Sequence, residues 1–192
     1  MGDDAPSTDA RSSFPFYYGW IISLGAAVNA SFVLGSAQFA LSTFLVPMEE
    51  SLGWSRSVLF GALSVRFLLA GMLGPLVGPL ADSVRGPRFI MPAGVLLLGS
   101  SLASIRWVET PIMFFALYGV VGALATALLH LNVWEALILK WFSKKRTRAL
   151  VIGGIGEGSG PFIFPLLVTL LIALSGWRDA WLWYGLITIV VL

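Results

Sequence analysis

The chain has 192 residues, of which 57% are hydrophobic and only 11% charged, and its formal net charge is +2 at pH 7. A soluble domain carries about a quarter charged residues and could not hide this much apolar surface, so the composition is that of a polytopic membrane protein. The small net charge excludes a nucleic-acid partner, and the absence of cysteine excludes disulfides and thiolate metal sites.

Residues 1–16 form a polar cytoplasmic tail with neither the basic start nor the cleavage site of a signal peptide. Apolar runs follow, punctuated by charges, glycine and proline, and they predict helices at 17–47, 55–82, 88–108, 111–140, 148–175 and 179–192. A span takes about 20 helical residues, which the first five runs supply. The alternating segments of ~10 residues that a β-barrel needs are not seen. Ala180–Leu192 would extend about 20 Å at ~1.5 Å per residue, against a hydrocarbon core of about 30 Å. The last helix therefore reads as truncated, and a longer protein is expected to continue beyond it. Lysine and arginine decide the orientation. Arg85, Arg88, Lys140, Lys144, Lys145, Arg146 and Arg148 gather on one side, and only Arg56, Arg106 and Arg178 on the other. The first group is expected in the cytoplasm, together with the N-terminus, in a multi-pass protein of the plasma membrane.

Between the second and third runs lies GPLADSVRGPR, Gly78–Arg88, a charged hairpin in a chain that otherwise avoids charge. It resembles the signature loop of the major facilitator superfamily, with Gly78, Leu80, Ala81, Asp82, Gly86 and Arg88 carrying the match. Ser83 stands where the family usually has a basic residue, and Gly86 comes one position late, with Arg85 in its usual place. FYYGW, LGWSRS, WFSKKRTRALVIGG and GEGSGPFIFP resemble the monocarboxylate and oxalate/formate branch. The resemblance implies an all-α membrane fold of six transmembrane helices, two inverted three-helix repeats making one half of a twelve-helix carrier. It implies secondary active transport of small organic anions by alternating access, with proton symport or anion exchange, and neither catalysis nor a cofactor. A missing C-terminal six-helix half, or a second copy of the chain, would complete the pathway within the lipid bilayer. Gly78, Asp82, Arg85, Gly86 and Arg88 would form the cytoplasmic gate. A half-size protein that homodimerises, or a non-transporting membrane scaffold, is the competing expectation.

Polar groups inside the apolar runs are expensive and mark function. Arg66 falls about 15 Å from the outer end of its helix, near the midplane. It suits contact with an anionic substrate, or a structural salt bridge with Glu157. His130 and Glu157 lie at similar depth on adjoining runs and suit a proton relay, or interhelical hydrogen bonding. Asn29, with Gln38, Ser31, Ser36 and Asn132, suits a polar cavity lining. Gly74-x-x-x-Gly78, Gly119-x-x-Gly122 and Gly154-x-x-x-Gly158 predict close helix approach. Ser159 in EGSG evokes an intramembrane serine protease, but the single histidine precedes it and none follows.

Overall fold

Helices that are apolar on every side must bury that surface or face lipid, and the described chain is helical almost throughout. The computed structural model describes residues 18–82, 86–130, 134–135, 138–139, 142 and 146–192. The expected tail, Arg85, Asn132, Lys140, Lys144 and Lys145 lie outside the described residues, as do the side chains of Gln38 and Asp82.

Helix α1 (Tyr18–Leu34) passes through a π-helical turn, Gly35–Phe39, into α2 (Ala40–Leu52). Gly53 ends α2 in the left-handed region at φ 68°, its N–H donating to the Glu49 carbonyl. Helix α3 is Arg56–Asp82, and α4 (Gly86–Ser104) tightens into a 3-10 turn at Ile105–Trp107. Thr110 then caps α5 (Pro111–Phe114), its Oγ1 accepting from the Met113 N–H at 3.3 Å, with Pro111 in the first turn where no N–H is needed. A second π-helical turn, Phe115–Val121, leads into α6 (Gly122–Leu128), and α7 runs from Arg146 to Val191.

Six separate spans with a short final one do not describe this molecule. Among the described residues four stretches are long and apolar enough to cross a membrane: Arg56–Leu80, Arg88–Trp107, Pro111–Leu128 and Arg146–Val191. The apolar helix Gly19–Leu34 is shorter than these four, and the chain stays helical through the π turn into α2. The division into two three-helix units falls with the count. The last helical run, Arg146–Val191, is the longest at 46 residues, two limbs joined directly at a kink rather than a separate short helix. Between the two limbs stands one non-helical residue, Gly176, at φ 78° and ψ 164°. The run folds back there. The rings of Phe164 and Tyr184 sit 5.6 Å apart, whereas a straight helix would separate them by about 30 Å.

The fold-back is pinned to the 3-10 turn after α4. Arg106 pairs with Asp179 at 2.8 Å, and Arg178 Nη1 donates to the Arg106 carbonyl at 2.8 Å and stacks its guanidinium 4.6 Å from the Trp177 ring. The two limbs then diverge in their packing. The first lies on α1, and the second lies on α4 where Gly99 meets Gly185. The α6 helix fills the angle between α3 and α4. Gly176 occupies backbone space that is essentially closed to side chains, so Gly176→Ala is expected to destabilise the fold by about 1–3 kcal/mol. A thermal melt of the detergent-solubilised protein reads this directly, and an unchanged midpoint would show that the reversal is not strained by a Cβ.

Candidate functional site

Arg66 on α3 is completely buried. Its Nε donates to Thr126 Oγ1 at 3.1 Å, and its Nη2 donates to Thr126 Oγ1 at 3.0 Å and to Ser36 Oγ at 3.2 Å. Its Cζ lies 5.0 Å from the centre of the Tyr118 ring, a cation–π contact. Glycine at 122 leaves room for the group, since a Cβ there would stand 3.4 Å from Cδ, Nε and Cζ. No carboxylate among the described residues pairs with Arg66, and the salt bridge to Glu157 is not formed. Nη1 has no acceptor among the described residues. Guanidinium stays charged at any accessible pH, so this is a buried cation whose charge is met, among the described residues, by hydroxyls and one aromatic face.

Both π-helical turns feed this cluster. Ser36 lies in the first and Tyr118 in the second, and the Tyr118 hydroxyl donates to the Ser36 carbonyl at 3.2 Å, tying one turn to the other. A π turn inserts an extra residue into the helical ladder and re-aims its side chains, which is why such turns concentrate at functional sites. Sequence reasoning noted Ser36 only as a weak polar signal and missed Thr126 and Tyr118. A Ser or Thr within an apolar helix is common, and helical periodicity gives no warning of a π turn.

Beside the cluster opens a cavity of about 550 Å³, lined among others by Asn29, Phe67, Thr126, His130 and Glu157. Asn29, His130 and Glu157 therefore share one space, and Arg66 stands behind it, separated by Thr126. His130 follows the end of α6 rather than sitting on a helix face, and both it and Glu157 are exposed. Asn29 is buried, its Nδ2 donating to the Leu129 carbonyl at 2.8 Å while Oδ1 has no partner among the described residues. Ser159 serves packing rather than nucleophilic chemistry: its hydroxyl lies 2.7 Å from Ser31 Oγ and donates to the Gly156 carbonyl.

Of the hairpin residues, Gly78 lines the same cavity, and a Cβ there would meet nothing within 4 Å. The close approach expected at Gly74 and Gly78 is not made by any described residue. Gly86 opens α4 and Arg88 is exposed, while Arg85 and the Asp82 side chain are outside the described residues.

The chain is similar to known transporters. It is 24% identical to monocarboxylate transporter 14 of Homo sapiens over 180 residues, covering 90% of this chain and 33% of that protein. It is 26% identical to monocarboxylate transporter 1 of Rattus norvegicus over 171 residues, 88% of this chain and 33% of the relative. It is 34% identical to the fujikurins efflux protein of Gibberella fujikuroi over 113 residues, 58% of this chain and 23% of the relative. The chain thus spans about a third of the length of the monocarboxylate transporters that it matches. Residues 27–192 match the model of the Major Facilitator Superfamily, and with its apolar helices this chain belongs to that superfamily as an integral, multi-pass membrane protein.

Proposed function

We propose that the protein is a secondary active transporter of small organic anions, with monocarboxylates and oxalate- or formate-like acids as its substrates, working by alternating access. Arg66 carries this reading. A fully buried guanidinium with an unused Nη1 and no carboxylate partner among the described residues needs an anion, because an uncompensated buried charge is among the most expensive features a protein can keep. Similarity to monocarboxylate transporters supports the same substrate class. The transport pathway runs through the cavity that Asn29, His130 and Glu157 line, and His130 and Glu157 pass protons along it. Gly78, Asp82, Arg85, Gly86 and Arg88 close the cytoplasmic side against the remainder of the carrier, in a plasma-membrane protein with its N-terminus inside.

Uptake of labelled lactate, pyruvate, oxalate and formate into proteoliposomes, with and without an inwardly directed proton gradient, tests the reading. At least one of these acids should enter saturably and be blocked by the others. If none enters under either condition, the organic-anion reading fails. Glu157→Gln and His130→Gln should reduce stimulation by the gradient several-fold while counterflow of the anion persists. Full stimulation in both variants would take the relay out of the mechanism.

A further inference from the structure

Arg66 Nη1 is not the only donor left over in this region. Trp181 Nε1 and the Tyr184 hydroxyl, on the second limb of α7, are also buried without a partner among the described residues. All three residues are fully buried, and Trp181 and Tyr184 share one core cluster with Tyr118, whose ring Arg66 faces. The Tyr118 ring lies 5.0 Å from the Arg66 Cζ and 6.1 Å from the Trp181 ring, and the Trp181 and Tyr184 rings are 6.3 Å apart. Trp181 is held in place by stacking on Phe44 at 3.9 Å. The Tyr184 ring packs against Phe164 at 5.6 Å.

The chemistry of these groups is one-sided. Guanidinium and indole can only donate, and a phenol donates readily. Buried donors are almost always satisfied, so three in one cluster call for a common acceptor. A metal or ammonium ion offers none. A water molecule would accept but would bring hydrogens that need acceptors of their own. A carboxylate accepts at both oxygens through about four lone-pair sites and carries the charge that the guanidinium lacks.

We propose that Arg66, Trp181 and Tyr184 form one carboxylate subsite, which receives the planar head of a small monocarboxylate between the guanidinium and two aromatic donors. This rests on the organic-anion reading above and deepens it. The rings of Phe44, Tyr118 and Phe164 pack against these three residues and make the surroundings apolar, which suits an acid with a short uncharged body. Thr126 both lines the cavity and holds the guanidinium, so the ligand would enter past that side chain.

The test reads binding rather than transport. The full 192-residue chain is labelled with nitrogen-15 at its indoles and placed in nanodiscs. The Trp181 resonance is assigned by its loss in Trp181→Phe. Pyruvate should move this resonance saturably downfield, whereas methyl pyruvate and chloride should leave it in place. The response should vanish in Arg66→Met. In Tyr184→Phe, which keeps the ring and loses only the hydroxyl, half-saturation should need about ten-fold more pyruvate. No response to pyruvate, or an equal response to chloride or to the ester, would overturn the subsite. A pyruvate-dependent shift in a protein that shows no uptake would keep the subsite and reject the transporter reading. Uptake that Trp181→Phe and Tyr184→Phe both leave unaltered would reject the subsite alone.

Discussion

Arg66→Met is expected to abolish organic-anion uptake while making the protein more stable. For uptake, the variant removes the fixed positive charge and the unused Nη1 donors. Hydrogen bonds to charged groups contribute about 1.5–3 kcal/mol each, so loss of a paired contact predicts a fall of about a hundred-fold or more, at ~1.4 kcal/mol per factor of ten. For stability, the present partners of the guanidinium do not depend on it. Thr126 Oγ1 donates to the Gly122 carbonyl at 2.8 Å, and Ser36 Oγ donates to the Val33 carbonyl at 3.0 Å. Neither hydroxyl would be left with an unsatisfied hydrogen. Methionine fills a similar elongated space and packs well against the Tyr118 ring. Replacing buried charged groups by apolar ones of similar volume typically stabilises by about 1–4 kcal/mol, so the melting midpoint should rise. Arg66→Lys would keep the charge but lose the planar fork, giving weak uptake without the gain in stability. Proteoliposome uptake and a thermal melt together decide the matter. Retained uptake removes Arg66 from the pathway, and a clearly lowered midpoint makes it a structural keystone.

That Arg66 could be singled out before any coordinates is a matter of contrast, since a lone cation within an apolar run stands out by composition. Its setting was far less legible. Thr126, Tyr118, Trp181 and Tyr184 are ordinary residues for membrane helices, and two π-helical turns bring Ser36 and Tyr118 to the cation by breaking the periodicity on which sequence patterns depend. The fold shows the same division. Apolar runs and their punctuation revealed a polytopic all-α membrane protein. They did not reveal the tight reversal at Gly176, because glycine, arginine and aspartate in SGWRD look like a solvated loop. There a single left-handed glycine turns the backbone, and Arg178 and Asp179 are spent on fixing that turn to α4.

The second large effect concerns a glycine that the small-residue motif did not single out. Gly156→Ala is expected to prevent stable folding, whereas Gly154→Ala and Gly158→Ala should behave like the unaltered protein. Glycines 154 and 158 are four apart and suggest a helix contact, yet a Cβ on either meets nothing within 4 Å. The stripe that touches α1 is Gly153, Gly156 and Gly160: Gly153 against Ala26, Gly156 against the Ala27 backbone, and Gly160 against the Ser31 carbonyl at 3.0 Å. At about 100° per residue, neighbouring positions on a helix point to different faces. A spacing of four therefore identifies a stripe without telling whether it faces protein or lipid. Position 156 is the severe one because its added carbon would collide with a carbonyl and Cα of the facing main chain, and no side-chain rotation relieves such a collision. Overpacking costs about 1–3 kcal/mol when side chains can shift, and here two helices must separate instead. Separation would also break the bond from Ser31 Oγ to the Gly156 carbonyl, 2.8 Å long. The monodisperse yield on size exclusion and the melting midpoint should both collapse in Gly156→Ala alone. If that variant melts with the unaltered protein, α1 does not lie against α7 at this height, and the placement of Asn29 and Ser36 around the cavity and the Arg66 cluster would fail with it.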